Sequence, residues 1–458
     1  MKFRRISAIA AARLTTFLLR FFGSGGTSLP GRIALFLCPG LLRELSSDIK
    51  ILAVTGTNGK TTTSRITGNI LKCNGLDFFE NKSGANLLPG IAAAFALNCS
   101  ITGKPRHEYA VIECDEAAFE KAAPQMQPEI VVITNLFRDQ LDRYGEISHM
   151  LTKLANGLVR CPGSTVILNA DDSLSYSLSS KIKNKIITYG LDESPYGPDD
   201  NFISDAPYCI NCKAPYQYSF RTYGHLGDFS CPDCGYHRTA PDISASDIKM
   251  DFKGSSFRLH SKTHEFIARP ALPGAYNIYN VLAATAAVSS FIDDPGVLAR
   301  GISTFESGFG RMETMEIEGM PLSLVLVKNP AGLNQVINFL SFDENKKILV
   351  LMLNDKFADG TDISWIWDAN FEKLASFSSV ISRIFAGGTR CAELVLRLKY
   401  AGFDPDEVYS ESDNSILLER ILEYNKGNLP VYVLPTYTAM FEFRGLLGKK
   451  YSLKEFWK

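Results

Sequence analysis

The string TGTNGKTT, Thr55 to Thr62, constrains this chain more than any other feature. It lies between an apolar run, IKILAVTG from Ile49, and a stretch of helical spacing that ends at Gly75. A strand, a glycine-rich turn and a helix in that order make a phosphate loop. Gly56 and Gly59 permit a tight turn whose backbone N–H groups approach phosphate oxygens, and the helix N-terminus adds a favourable dipole. Lys60 supplies the compensating charge, and the Thr61 hydroxyl is placed to ligate Mg²⁺ between nucleotide phosphates. Thr57, Asn58, Gly59, Lys60, Thr61 and Thr62 are therefore the expected ATP-binding residues, with Lys60 also catalytic. The general pattern would put its first glycine at position 54, where Val54 stands, so this is a shorter form of the loop.

The rest of the chain continues the α/β pattern. At 458 residues it exceeds one ordinary core, and length alone anticipates about three structural units. Short apolar runs, YAVIECD, EIVVITN and STVILNADD, alternate with helical stretches, the order of a parallel sheet covered by helices. This central domain is expected over residues 46–312. Composition shifts near Arg311, and LSLVLVKNP, KKILVLMLND, SSVISRIFAGG and LPVYVLPTY read as buried strands of a second, Rossmann-like parallel sheet over residues 313–458.

Residues 1–45 differ. Lys2, Arg4, Arg5, Arg13 and Arg20 occur with no acid among them, while Phe3, Ile6, Ala10, Leu14, Phe17 and Phe21 recur at steps of three and four and line one helical face. Arg13 and Arg20 interrupt the apolar runs, which fall short of the roughly 20 residues a membrane span needs. Two readings fit: the helix packs on the next domain with its arginines in water, or it touches an anionic membrane surface. GSGGTSLPG, Gly23 to Gly31, then breaks the helix. The whole chain carries a net charge of -1 and a pI near 6.6, so no global charge favours nucleic acid.

Residues 206–240 interrupt the central domain with short polar and aromatic text. They hold Cys209, Cys212, Cys231 and Cys234, two CxxC knuckles with 18 residues between them. That spacing fits a tetrahedral thiolate zinc ribbon, and four thiolates leave no open position, so a structural role is expected. The remaining six cysteines are scattered through apolar contexts, which fits a reducing cytoplasm.

TGTNGKTT resembles the phosphate loop shared by Mur ligases and folylpolyglutamate synthetases, and further residues agree in order. Glu113 in VIECDE looks like the family's strand-end ligand for Mg²⁺. TNLFRDQLDRYGE matches the next segment through Thr134, Asn135, Asp139 and Asp142, and LNADD does so through Asn169, Asp171 and Asp172. LPGAYNIYNVLAATAA places Asn277 and Asn280 near adenine by resemblance, and GRME puts Arg311 on the phosphates.

The pattern also breaks. Gln140 stands where many Mur ligases have a metal-binding histidine, which argues against a second Mg²⁺. Lys153 is nearest to the family's carbamylated lysine without aligning, and Val325 and Lys328 replace the usual residues before the terminal-domain NP. LMLNDKFADGTDISWIWD, from Leu351 to Asp368, turns a strand into a loop with Asp355, Asp359, Asp362 and Asp368 beside Trp365 and Trp367.

Together with the ribbon, these features resemble the MurT family, Mur-ligase-like subunits of lipid II isoglutaminyl synthase. That resemblance implies a GatD-type glutaminase partner, lipid II as substrate with its D-glutamate converted to D-isoglutamine, and a cytoplasmic site at the inner face of the plasma membrane. It also gives Asp355 the role of orienting a partner histidine. Two rivals remain at this point: a ligase that adds an amino acid, and a zinc-ribbon ATPase that binds nucleic acid. The latter has only Lys213, Arg221 and Arg238 in the ribbon to offer.

Overall fold

The computed structural model describes residues 2–21, 28–81, 84–137, 147–196, 205–251, 254–305, 311–426 and 428–451. They form two compact units, one within residues 2–250 and 254–305 and one within residues 311–451.

The first unit is built on a nine-stranded sheet. Its strands are β1 (Lys50–Thr55), β2 (Phe78–Glu80), β3 (Tyr109–Glu113), β4 (Ile130–Ile133), β5 (Thr165–Asn169) and β6 (Lys185–Leu191), followed by β9 (Ile243–Met250), β10 (Ser255–His260) and β11 (Glu265–Ala268). β7 (Gln217–Tyr223) and β8 (Leu226–Ser230) form a separate hairpin. The strand order is β11-β10-β9-β6-β5-β4-β1-β3-β2. β1 to β6 and β9 pair in parallel, and every residue of β3 and β4 is buried, as expected for strands covered on both faces. β10 and β11 pair antiparallel, so the sheet is mixed where the sequence pattern anticipated a parallel one.

Helices α1 (Lys2–Phe21), α2 (Ser28–Leu37), α3 (Leu41–Ser46), α4 (Lys60–Cys73), α5 (Leu88–Leu97), α6 (Glu116–Met126), α7 (Ile147–Val159), α8 (Ser173–Tyr176), α9 (Ala275–Val288) and α10 (Pro295–Ser303) complete this unit. α9 is buried along almost its whole length, which its alanine-rich sequence permits without crowding. α1 packs on α2 and α5, but not by the stripe that the sequence draws. Its buried residues are Ala8, Ile9 and Ala12, whereas Phe3, Leu14, Phe17 and Phe21 are 60–83% exposed. Arg13 explains the orientation: its guanidinium donates to the Ala96 and Cys99 carbonyls at the end of α5, a contact the large aromatic face would block.

The second unit carries a six-stranded sheet in the order β12-β13-β17-β14-β15-β16. Its strands are β12 (Arg311–Ile317), β13 (Met320–Val325), β14 (Lys347–Met352), β15 (Ile381–Gly387), β16 (Val408–Glu411) and β17 (Val431–Pro435). β12 is antiparallel to β13, and the other pairings are parallel. Helices α11 (Pro330–Ser341), α12 (Glu372–Ser376), α13 (Cys391–Tyr400), α14 (Asn414–Tyr424) and α15 (Tyr437–Tyr451) cover it. Separate clusters of buried apolar side chains pack against the sheet, one with Leu349, Leu351 and Leu398 and another with Ile348, Val350 and Phe443. The alternation along β14 sends successive side chains to opposite faces.

Candidate active site

The loop after β1 is closed by its neighbours. Gly56 and Gly59 have φ of +121° and +85°, which disfavour other residues. A Cβ on Gly56 would lie 2.3 Å from Thr134 Oγ1, and one on Gly59 would lie 2.1 Å from Asn280 Oδ1. Asn135, past the end of β4, clamps the turn: its carbonyl accepts from Thr57 N at 2.8 Å, its Oδ1 accepts from Asn58 N at 3.0 Å, and its Nδ2 donates to Asn58 O. Thr57 Oγ1 accepts from Phe137 N at 3.0 Å. The Lys60 ammonium, only 8% exposed, folds back on the Gly56 carbonyl and pairs with Glu116 Oε2 at 3.1 Å. Glu116 opens α6, where the helix dipole favours a carboxylate, and Asp115 caps that helix by accepting from Ala117 N.

The parallel pairing of β1 and β3 sets Glu113 opposite Val54 and so beside the loop. Thr61 Oγ1 donates to Glu113 Oε2 at 2.7 Å, and Asn86 Nδ2 donates to Oε1 at 3.0 Å. Asn81 bridges the Glu113 backbone in both directions, at 2.8 Å each way. Thr61 and Glu113 thus present two hard oxygen donors at a helix N-terminus, the donor type that Mg²⁺ selects. Glu80, on the far side of β3, is a further carboxyl in this neighbourhood. Burial pushes it up to about 7, with Arg65 pulling down and Glu113 pushing up.

Asn277 and Asn280 sit side by side on α9. Asn280 Nδ2 donates to Asn277 Oδ1 at 3.1 Å, its Oδ1 accepts from Thr63, and Asn277 Nδ2 donates to the Pro273 carbonyl. Asn280 therefore abuts the phosphate loop directly, at Gly59 and Thr63. Asp139, Gln140 and Asp142 lie outside the described residues, as does the side chain of Arg311, whose backbone opens β12.

LNADD serves the ribbon. Asp171 accepts from Arg238 Nε at 2.6 Å, from the Tyr279 hydroxyl at 2.6 Å and from Leu191 N. Asp172 accepts from Leu136 N and lies 3.0 Å from His225 Nε2, at the tip of the β7–β8 hairpin. Both carboxylates are fully buried, so each fixes a ribbon side chain to the sheet. The Sγ atoms of Cys209, Cys212, Cys231 and Cys234 all lie within 4.8 Å of one another, the shortest pairs at 3.4 and 3.5 Å. Tetrahedral thiolates on a zinc ion would stand about 3.8 Å apart, so the cluster is shaped to hold a metal of that kind. Burial works against the Cys209 thiolate, yet backbone N–H groups of Cys212 and Asn211 and the neighbouring thiols bring its pKa down to about 7.

In the second unit Asp355 lies just past β14. Its Oδ2 accepts from Nε and Nη2 of Arg390, both at 2.7 Å, and its Oδ1 accepts from Thr389 Oγ1 at 3.0 Å. The Arg390 guanidinium holds this carboxyl below the usual aspartate range. Asn354, buried beside it, accepts from Thr389 N and donates to Thr438 Oγ1. Gly388, φ +85°, is required there, because a Cβ would meet the Leu353 carbonyl at 2.5 Å. Asp359 and Asp362 are engaged otherwise: Asp359 accepts from Thr438 N at the start of α15, and Asp362 from Ser364 N. Trp367 packs edge-on against Tyr400.

The sequence singled out Thr61 and Glu113, which the structure joins by a hydrogen bond, and Lys60 beside them, but gave no sign of their neighbours Glu116, Asn81 and Asn86. It singled out Asp355 but not Arg390 and Thr389, which hold its carboxylate. The GGTR string that ends β15 is the signal that was available.

Solved structures share this build. A pseudomurein peptide ligase type C from Methanothermus fervidus matches with a TM-score of 0.69 at 20% identity, covering 90% of this chain and 80% of its own. A folylpolyglutamate synthase from Mycobacterium tuberculosis matches with a TM-score of 0.62 at 16% identity, covering 96% and 99%. The fold is that of the Mur-type ligases, and sequence narrows the class. Residues 54–208 match the Mur ligase middle domain, and residues 326–440 match the MurT ligase C-terminal family. The MurT subunits of lipid II isoglutaminyl synthase (glutamine-hydrolyzing) from Streptococcus pneumoniae and Staphylococcus aureus are 36% and 33% identical, over 99% and 98% of this chain and 99% of each relative. The chain belongs to the MurT family.

Proposed function

We propose that the chain is the ATP-using subunit of a glutamine-dependent amidotransferase that converts the D-glutamate α-carboxylate of lipid II to its amide, giving D-isoglutamine. The observation that carries this reading is the convergence of Lys60, Thr61 and Glu113 on the N-terminus of one helix in a chain of this family.

A carboxylate does not yield to ammonia near neutral pH, because oxide is a poor leaving group. In the proposed sequence a carboxylate oxygen attacks the γ-phosphorus, the bond to the bridging oxygen of ADP breaks, and an acyl phosphate forms. Ammonia then attacks the acyl carbon, the carbon–oxygen bond to phosphate breaks, and phosphate leaves as a proton is lost. The loop N–H groups bind the phosphates, and Lys60 leaves Glu116 to neutralise charge developing on the transferred group. Thr61 and Glu113 would hold Mg²⁺, which shields the phosphate charge when bound. Asn280 keeps Gly59 in place from behind and, with Asn277, would lie beside the nucleotide.

The ammonia comes from a glutaminase subunit of the GatD type. Asp355 supports that assignment. It is ionised, fixed by Arg390 and Thr389 and partly exposed, so it can meet an imidazole N–H of a partner at the surface. Such a bond would set the imidazole tautomer. The ribbon takes a structural Zn²⁺. A chelator strong enough to remove it should lower the melting temperature and loosen the ribbon's tryptic sites before any loss of ATP binding. Reduced thiols throughout and the use of ATP support a cytoplasmic setting, with lipid II reached at the inner membrane face.

The test supplies the purified chain and its glutaminase subunit with lipid II, ATP and either glutamine or ammonium, and follows the substrate by mass. Amidation with both donors supports the reading. Incorporation of an amino acid instead, or amidation without ATP, refutes it.

A further inference from the structure

α1 is fixed to the first unit by Ala8, Ile9 and Ala12, all fully buried, and by Arg13. At about 100° per residue, the positions of Phe3, Leu14, Phe17 and Leu18 centre about 180° from that buried face. These four are 83, 60, 65 and 45% exposed, and Phe36 on the adjoining α2 is 86% exposed. The helix has docked by its small residues and turned its large apolar ones outward, the reverse of an ordinary surface helix.

The exposed charges flanking this face are basic, while Arg5, on the inward side of α1, is paired with Glu44. Arg4 and Arg20 are exposed and lie about 100° to either side of the stripe, and Arg32 is exposed on α2. The first 43 residues hold seven of the 48 Lys and Arg and none of the 49 Asp and Glu, so the rest of the chain is net negative. Just past α2 the chain enters a cleft lined by Arg43, Lys121 and Arg160, which extends the basic surface. Among the described residues no helix is long and apolar enough to cross a membrane.

We propose that this face seats the chain on an anionic lipid bilayer. Phe3, Leu14, Phe17, Leu18 and Phe36 enter the boundary between headgroups and acyl chains, while Arg4, Arg20 and Arg32 meet lipid phosphates. Neither signal alone gives stable binding, and an apolar face with basic flanks supplies both. A protein partner for such a face would have to match a one-signed basic rim, whereas an anionic bilayer does so everywhere. The inference concerns where the chain sits, not which group it amidates, so it is read by binding without turnover.

Flotation of the full chain with phosphatidylglycerol-containing vesicles, against phosphatidylcholine vesicles, tests it, with and without the glutaminase subunit. At least tenfold more chain should float with the anionic vesicles, less in high salt. Phe17→Ser with Phe36→Ser should lower recovery at least tenfold at an unchanged melting temperature, since both side chains are exposed. Arg20→Ala should lower it about fivefold. The proposal is overturned if the wild-type chain does not float, if the double variant floats as well as wild type, or if adding the glutaminase subunit abolishes flotation, because a protein then covers this face. A wild-type dimer that the double variant dissolves, with no vesicle binding, would mark a self-interface and overturn it equally.

Discussion

The phosphate loop and the Asp355 loop are built alike and charged differently. Each follows the C-terminal end of a buried parallel strand, and an asparagine ties each to a neighbouring loop, Asn135 reaching into the phosphate loop and Asn354 reaching out from beside Asp355 to Thr389; the glycine with φ of +85° is Gly59 in the first case and Gly388, in the loop after β15, in the second. Lys60, however, is 8% exposed with Glu116 as a buried partner, while the Asp355 side chain is 26% exposed and paired with an Arg390 that is itself 43% exposed. The first site is prepared to exclude water around a ligand, where fixed charge acts strongly. The second holds a charge ready at a wet surface, where it can act only on something that arrives and dries it.

Removing the buried charge should have the largest effect. Lys60→Ala should lower ATP-dependent amidation by on the order of a thousandfold or more, with either nitrogen donor. It also leaves Glu116 without the ammonium, and breaking a buried pair costs about 3–5 kcal/mol. Lys60→Ala combined with Glu116→Gln should recover most of the melting temperature and none of the activity. Recovery of activity in the double variant would show that Lys60 matters as a structural ion pair, and the contrast between the two loops would fail.

Asp355→Asn should come next and should be selective. Asparagine keeps the shape but cannot fix the imidazole tautomer, so glutamine-dependent amidation should fall by about a hundredfold. Ammonium-dependent amidation should stay within about twofold of wild type. An equal loss with both donors would move Asp355 into the ATP-using chemistry.

How much of this was legible beforehand follows the same contrast. The phosphate loop is local in sequence, and eight consecutive residues set its turn, its helix and its charge. Glu113 was legible by resemblance, because β1 and β3 are neighbours and the register brings Glu113 to the loop. Its supports were not, since Asn81 and Asn86 reach it across 32 and 27 residues through contacts that no spacing encodes. The two CxxC knuckles were legible for the same local reason as the loop. The bonds from Asp171 to Arg238 and from Asp172 to His225 span 67 and 53 residues and were not. α1 shows the limit of periodicity. The stripe of Phe3, Leu14 and Phe17 was real, but a stripe says that a face exists and not what covers it. Arg13 and the small residues Ala8 and Ala12 decided which side met α5.

Two smaller effects sharpen the comparison. Arg390→Ala should lower glutamine-dependent turnover about tenfold, roughly one charge-assisted hydrogen bond, and should let the Asp355 carboxyl rise toward its ordinary range.

Glu80 tests the dryness of the first site. Its carboxyl is raised to about 7, with burial the main cause, whereas an unfolded glutamate titrates near 4.3. Between these values the folded chain binds more protons here than the unfolded one, so this group's contribution to stability is full below about pH 4.3 and lost as pH rises through about 7. Glu80→Gln cannot titrate and should remove that slope. Denaturant melts of the ligand-free chain at pH 5.5 and 7.5 should therefore show wild type losing more stability than the variant across the interval. Parallel losses would mean that water reaches this corner and that the first site is no drier than the Asp355 loop.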